Sequence, residues 1–258
     1  MKKFTLLSLF LILGACDIPF VPLVHAAGDS TPPPKQEWSF NGMFGTYDKA
    51  AMQRGLKVYR EVCAACHSLK RVYFRNLEDL GYNEGQIKAL AAEYTVVNAT
   101  PNEEGELYER NARPSDKFPS PFDNKQAAKY ANNGSYPPDL SLITKARVGG
   151  ADYISALLSG YDDDHHGTEL LEGQHYNTYM PGHIIAMAAP LSDDLVEYED
   201  GAPQTVEQYS NDIAHFLTWA AEPEMEERKQ TGNKVLIFLI IFAGLMYAYK
   251  KRIWKDVH

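Results

Sequence analysis

The sequence predicts a mainly α-helical domain, broken by long loops and followed by one membrane-spanning helix. Three observations carry this. Apolar residues recur at helical spacing over 47–62, 83–93, 151–160 and 206–221. The stretch from Pro101 to Pro138 is rich in Pro, Asn and Gly, and only Lys125 to Ala131 within it reads as a helix. The fifteen residues from Val235 to Tyr249 contain no charge and run into a basic cluster.

The N-terminus, residues 1–26, reads as a cleaved secretory signal. Lys2 and Lys3 precede an apolar run from Phe4 to Ala15, too short to span a bilayer, and Val24-His25-Ala26 offers a small-residue cleavage site before Ala27. Leu13-Gly14-Ala15-Cys16 also resembles a lipoprotein processing box, so both readings stand, with secretory cleavage ahead. Either way Cys16 is no part of the fold, and the mature domain has no cysteine to spare for a disulfide. Thr31-Pro32-Pro33-Pro34 is a stiff polyproline lead-in.

The first helix carries Ala50, Ala51, Leu56, Val58 and Tyr59 as its apolar residues and leads into Cys63-Ala64-Ala65-Cys66-His67; in the next, Ile87, Leu90 and Ala91 recur at helical spacing. The helix over 206–221 leads toward the uncharged run. Fifteen helical residues rise about 22 Å, short of a hydrocarbon core of about 30 Å, so flanking residues must complete the span. Lys234 and Lys250 can snorkel, and Tyr247, Tyr249 and Trp254 suit the interface. Lys250-Lys251-Arg252 and Lys255 then place the C-terminus inside the cell. The signal peptide implies the same topology independently. The expected division is a periplasmic domain over 27–232, a transmembrane anchor over 233–250 and a cytoplasmic tail over 251–258, in a bacterial inner membrane.

Net charge is −9, yet of the 25 basic and 34 acidic residues seven and two lie outside 27–232, which leaves the exported domain at −14. That balance argues against a nucleic-acid role and favours steering of a basic partner. The acidic groups cluster at Glu103-Glu104, Asp162-Asp163-Asp164, Asp193-Asp194, Glu197 and Glu199-Asp200.

Cys63-Ala64-Ala65-Cys66-His67 is a C-x-x-C-H motif, the attachment signature of one covalent haem c. Two thiols on one helical turn can form thioethers to the two porphyrin vinyl groups, and the histidine beneath supplies an axial nitrogen. A zinc site would need further ligands, and Cys16 is the only other cysteine. A redox C-x-x-C would not require the histidine. The predicted fold class is therefore a c-type cytochrome domain with long loop insertions plus one C-terminal transmembrane helix.

A sixth iron ligand is needed unless the site is open. Met43, Met52, Met180 and Met187 are candidates, with His165, His166, His175, His183 and His215. Met43 and Met52 precede the haem motif. Met180 lies in a Pro/Gly loop and Met187 in a small apolar loop ending at Pro190, and the residues alone leave these two open. A thioether from either raises the potential and closes the iron to substrates.

Further along, Ala131-Asn132-Asn133-Gly134, then Pro137-Pro138-Asp139-Leu140-Ser141, resembles a segment of the cytochrome c1 family. Gly149-Gly150-Ala151-Asp152-Tyr153, Leu158-Ser159-Gly160-Tyr161, Glu197 to Pro203 and Trp219-Ala220-Ala221-Glu222-Pro223-Glu224 extend the likeness from about Trp38 to the basic cluster. The resemblance implies that Met187, in the A-M-A-x-P loop, is the distal ligand paired with His67. It implies that Asn132 and Pro137 pack or hydrogen-bond at the haem, and that Arg147 and Tyr153 stand near a propionate, where a guanidinium supplies a fork of donors. Some bacterial members carry an extra disulfide near the distal loop, which this chain cannot form.

The function implied is that of the electron-transfer subunit of a dimeric ubiquinol–cytochrome c oxidoreductase. It would work beside cytochrome b and a Rieske iron–sulfur subunit and deliver electrons to a soluble or membrane-anchored cytochrome c. No substrate bond would be made or broken on this subunit. A free-standing membrane-anchored cytochrome serving an oxidase is the nearest rival. A peroxidase would typically need a second haem motif, and a haem sensor a signalling domain past the anchor; neither feature is present.

Overall fold

Four of the predicted helices begin at a residue whose side chain caps them. In the computed structural model, which describes residues 31–256, Asp48 accepts from the Ala50 and Ala51 amides and opens α1 (Lys49–Glu61). Asn83 and Gln86 form a reciprocal capping box at the start of α2 (Glu84–Ala92). Asn124 caps α3 (Lys125–Ala131), and Thr205 caps α6 (Val206–Ala221). Between them lie a one-turn α4 (Ile143–Ala146) and α5 (Gly150–Ser159). The secretory segment and Cys16 lie outside the described residues, as do the last two residues of the tail.

Two short antiparallel pairs were not expected from the sequence: β1 (Thr95–Val97) with β2 (Glu109–Asn111), and β3 (His175–Tyr176) with β4 (Ile184–Ile185). Strands of two or three residues are too short to show alternation. The first pair falls partly inside the region read as loop and is braced by Arg110, which forks onto Asp116 at 2.6 and 2.9 Å.

The core is built where α1 crosses α6, with α5 on the other flank of α6. Tyr59, Tyr209, Phe216 and Trp219 are fully buried there. The crossing is close because Gly55 has no side chain: a Cβ would stand 2.2 Å from the Asp212 carbonyl oxygen and 2.7 Å from the Phe216 Cβ. Beside it, the fully buried Asp212 carboxylate receives Arg54 through Nε and Nη2, each at 2.9 Å, and Arg54 also reaches Asp200 at 2.7 Å. A buried carboxylate must be paired in this way or its desolvation goes uncompensated.

The helix α7 (Met225–Ile253) starts ten residues before the uncharged run. Its first turns are bolted to the domain: Glu222 pairs with Lys145 at 2.7 Å and with Arg228 at 2.6 Å. Beyond them the helix stands clear of the domain with its large apolar side chains exposed, and it is long and apolar enough to cross a membrane.

Candidate haem site

α1 ends at Val62, and the chain tightens into a single 3-10 turn over Cys63–Ala65. The Cys63 carbonyl accepts from both the Cys66 and His67 amides, at 3.1 and 2.8 Å. This winds both thiols and the imidazole onto one short turn. Cys63 packs against the core and Cys66 is exposed. Burial, with the neighbouring Cys66, pushes the Cys63 thiol up to about 12, so it stands as a neutral thiol. Among the described residues no three His, Cys, Asp or Glu side chains are grouped to hold a metal ion.

The His67 Nδ1 lies 2.8 Å from the Pro138 carbonyl oxygen. Burial lowers the imidazole from its ordinary value, against the opposite pulls of Pro138 and Asp139. A neutral ring whose Nδ1–H is given to a carbonyl presents a free Nε2 lone pair, the arrangement that orients an iron-ligating histidine. The buried Tyr59 hydroxyl holds the His67 carbonyl at 3.1 Å. The donor set thus suits a covalently held haem: two sulfurs, and one nitrogen with its tautomer fixed.

Asp139 keeps the Pro138 carbonyl in place. Its carboxylate accepts from Ser68 Oγ at 2.8 Å, the Lys70 amide at 2.9 Å and the Ser141 amide at 3.0 Å, while the Leu140 amide bonds back to the Ser68 carbonyl. Burial works to raise this carboxyl, but those donors outweigh it and hold it below its ordinary value. Its contribution to stability is therefore complete above the ordinary Asp value of about 3.9 and is lost as pH falls through the lower folded-state value. Asp139→Asn replaces an acceptor oxygen by a donor and breaks at least one of the three bonds. We expect a loss of about 1.5–3 kcal/mol in unfolding free energy, read by denaturant titration of the haem band. An unchanged midpoint would show the clamp to be idle.

Of the other expected residues, Pro137 lines a cavity of about 280 Å³ with Cys66, Ser68, Lys70 and Tyr136. Asn132 is the C-cap of α3, its Nδ2 donating to the Ala128 carbonyl at 2.7 Å. Arg147 ends α4 and is exposed, its nearest recorded bond being to the neighbouring Ala146 carbonyl. Tyr153 is buried on α5, and burial raises its hydroxyl, with Arg147 acting the other way. That hydroxyl points at the Met180 sulfur, 3.6 Å away. Met187 is half-buried in the loop after β4, held by its carbonyl, which accepts from the Tyr161 hydroxyl at 3.0 Å. Thus Cys63, Cys66, His67 and Pro137 come together at one turn, Tyr153 stands with Met180, and Met187 is anchored through Tyr161.

Several of the remaining candidate ligands are placed elsewhere in the fold. Met52 is fully buried in the core of α1, and Met43 is exposed on a loop. His215 is buried between Trp38 and Phe40 with Nδ1 at its own helix carbonyl, and His166 sits against Asp162 at 3.2 Å. His183 stacks on Tyr176. The supporting residues Tyr59, Asp139, Tyr161 and Pro138 were missed as site residues. The available signal was the aspartate and serine in Pro138-Asp139-Leu140-Ser141, since a carboxylate in a loop between two prolines and a serine is placed to collect amide donors.

Comparison with known proteins adds a family. The profile of the Cytochrome C1 family matches residues 38–257. Over 251 residues the chain is 50% identical to "Cytochrome b/c1" of Bradyrhizobium diazoefficiens, an alignment covering 89% of this chain and 36% of that protein, so the chain spans about a third of that relative's length. It is 51% identical over 220 residues to "Cytochrome c1 1, heme protein, mitochondrial" of Arabidopsis thaliana, covering 85% and 71%. It is 48% identical over 233 residues to "Cytochrome b-c1 complex catalytic subunit, mitochondrial" of Candida albicans, covering 90% and 81%.

Proposed function

This chain belongs to the cytochrome c1 family, and from that premise we propose that it is the haem c subunit of a ubiquinol–cytochrome c oxidoreductase. It takes electrons singly from a Rieske iron–sulfur subunit and delivers them to a soluble or membrane-anchored cytochrome c. The observation that carries the reading is the Cys63–His67 turn with its imidazole committed through Nδ1 to the Pro138 carbonyl. Cytochrome b as a further partner is supported by the relative whose name couples b and c1 in one protein. The assembly is expected to be dimeric. α7 crosses the bacterial inner membrane, with the haem domain periplasmic and Lys250-Lys251-Arg252 cytoplasmic.

The bound haem supplies a reversible one-electron centre. Cys63 and Cys66 would hold it through thioethers, and the His67 Nε2 and the Met187 thioether would be its iron ligands, the soft sulfur favouring the reduced state. The support for Met187 over Met180 is that the Met180 sulfur accepts from the Tyr153 hydroxyl, whereas Met187 is tethered through its backbone carbonyl. Arg147 and Tyr153 offer donors to a propionate, and Pro137 and Asn132 border the ring. None of these groups breaks a substrate bond, so the subunit is not an enzyme by itself. The test is rapid mixing of the purified complex with ubiquinol: the haem c band should reduce before added cytochrome c does, and only while the Rieske subunit is present. A haem c band that stays oxidised would sink the reading.

Met187→Leu should keep the covalent haem, lose the weak sulfur-to-iron band of the oxidised protein, and lower the potential by at least about 120 mV, two decades at about 59 mV each. Met180→Leu should do neither. The reverse pattern would move the ligand to Met180.

Electrostatic steering gives a further expectation. Asp162 and Asp163 line a cavity with Tyr161 and Ala189, beside the loop that carries Met187, whereas Glu103 and Glu104 lie on a separate exposed turn. Association with a basic cytochrome c should slow by about tenfold or more as ionic strength passes the physiological value, where the Debye length is about 8 Å. Neutralising Asp162, Asp163 and Asp164 should slow it more than neutralising Glu103 and Glu104. Stopped-flow rates independent of salt would exclude steering and point to an acceptor held in the same assembly.

A further inference from the structure

Residues 39–46 form a closed loop. The Thr46 amide donates to the Ser39 carbonyl at 3.0 Å across its neck, and the Asn41 amide to the Trp38 carbonyl at 3.0 Å. Gly42 turns it with φ +74°, and Gly45 lies so near Asn41 that a Cβ would meet that carbonyl oxygen at 2.0 Å. The stretch from Trp38 to Tyr47 carries no charge. Trp38, Phe40 and Tyr47 are buried in the domain, yet the tip presents Met43 and Phe44 to the outside, Phe44 with 81% of its surface exposed. A rigid loop with two large apolar side chains at its tip is a preformed insertion element.

Its tethers give its direction. The Tyr47 amide donates to Glu226 Oε1 at 2.7 Å, and Lys229 Nζ donates to the Phe40 and Gly45 carbonyls at 2.6 and 3.1 Å. Glu226 and Lys229 lie about 4.5 Å apart along α7, so Tyr47 is tied at the earlier position and Gly45, the neighbour of Phe44, at the one nearer the uncharged run. Lys229 is six residues, about 9 Å, above Val235, where the uncharged run begins. That run is about 8 Å shorter than the hydrocarbon core, and with Lys250-Lys251-Arg252 closing its inner end the residues just before Val235, on the side of the loop, are left to complete the span.

We propose that the 39–46 loop is a second membrane contact, seating Met43 and Phe44 in the lipid interface beside the outer end of α7. The inference rests on the reading of α7 as a membrane span. The two contacts together would fix the tilt of the domain over the bilayer, which one helix cannot do alone.

The test uses the purified complex in vesicles of phosphatidylethanolamine and phosphatidylglycerol. Nitroxide labels are placed singly at Phe44→Cys, Met43→Cys, Glu104→Cys and Leu239→Cys. Collision with oxygen is compared with collision with a water-soluble nickel chelate. The expected result is an oxygen-to-nickel ratio several-fold higher at positions 44 and 43 than at 104, approaching that at 239. A ratio at 44 and 43 equal to that at 104, with 239 reading as lipid, overturns the loop contact alone. Labels at 44 and 43 shielded from both reagents would show a protein partner covering the tip and equally overturn it. A water-like ratio at 239 removes the span itself and the loop proposal with it.

Discussion

Replacing Cys63 or Cys66 by alanine is expected to remove most of the assembled haem protein. The two sulfurs lie on one 3-10 turn whose amides both point back to the Cys63 carbonyl, so their separation is set by backbone and not by flexible side chains. Losing Cys63 also takes an apolar side chain out of the packed edge of the core, so that variant should be the more damaging of the two. Losing Cys66 removes an exposed thiol and should spare the apoprotein fold while releasing one side of the porphyrin. Denaturing gels stained for haem should lose the band near the mature mass in both variants, with Cys66→Ala keeping the larger residue. Haem bands of full strength in both would refute covalent attachment at this turn.

What the sequence disclosed and what it withheld divide along physical lines. Helices were legible because each carries its own periodic spacing and most carry their own caps: the reading over 125–131 and 206–221 matches α3 and α6 residue for residue, and the others differ by one or two residues at an end. The C-x-x-C-H motif was legible because it is written in five consecutive residues. The strand pairs were not, since a ladder of two or three residues depends on a partner the local sequence does not name. The shell around His67 was hidden for the same reason. Pro138 and Asp139 stand about seventy positions from the residues they hold, and only the fold brings Asp139 onto Ser68 and Lys70. Between Met180 and Met187, spacing had no preference. The contact of the Tyr153 hydroxyl with the Met180 sulfur is a feature that only three dimensions could supply.

Gly55 is the clearest residue of that hidden kind, and it carries the other large expected effect. In an isolated helix Gly→Ala is stabilising, by about 1 kcal/mol, because alanine has the higher helix propensity. Here α6 lies directly against the missing side chain, and the atoms met are backbone, the Asp212 carbonyl oxygen at 2.2 Å and its carbon at 2.7 Å, which cannot rotate away. Relief requires α1 and α6 to separate. Separation strains the bidentate Arg54–Asp212 pair in the same turn and loosens the fully buried Phe216. Overpacking alone costs about 1–3 kcal/mol, and weakening a buried ion pair adds to it, so Gly55→Ala should cost about 3 kcal/mol or more. Against a typical domain stability of about 5–15 kcal/mol, that is enough to deplete the folded protein in cells. The measurement is guanidinium unfolding of the full chain in detergent, followed by the haem band. Gly232→Ala serves as the reference, because nothing lies within 4 Å of its added Cβ. Gly232→Ala should leave the midpoint unchanged or raise it. The sign at position 55 decides the matter: a midpoint at or above that of the parent protein would mean the helices part without penalty, and the crossing would not be what holds the haem turn in place.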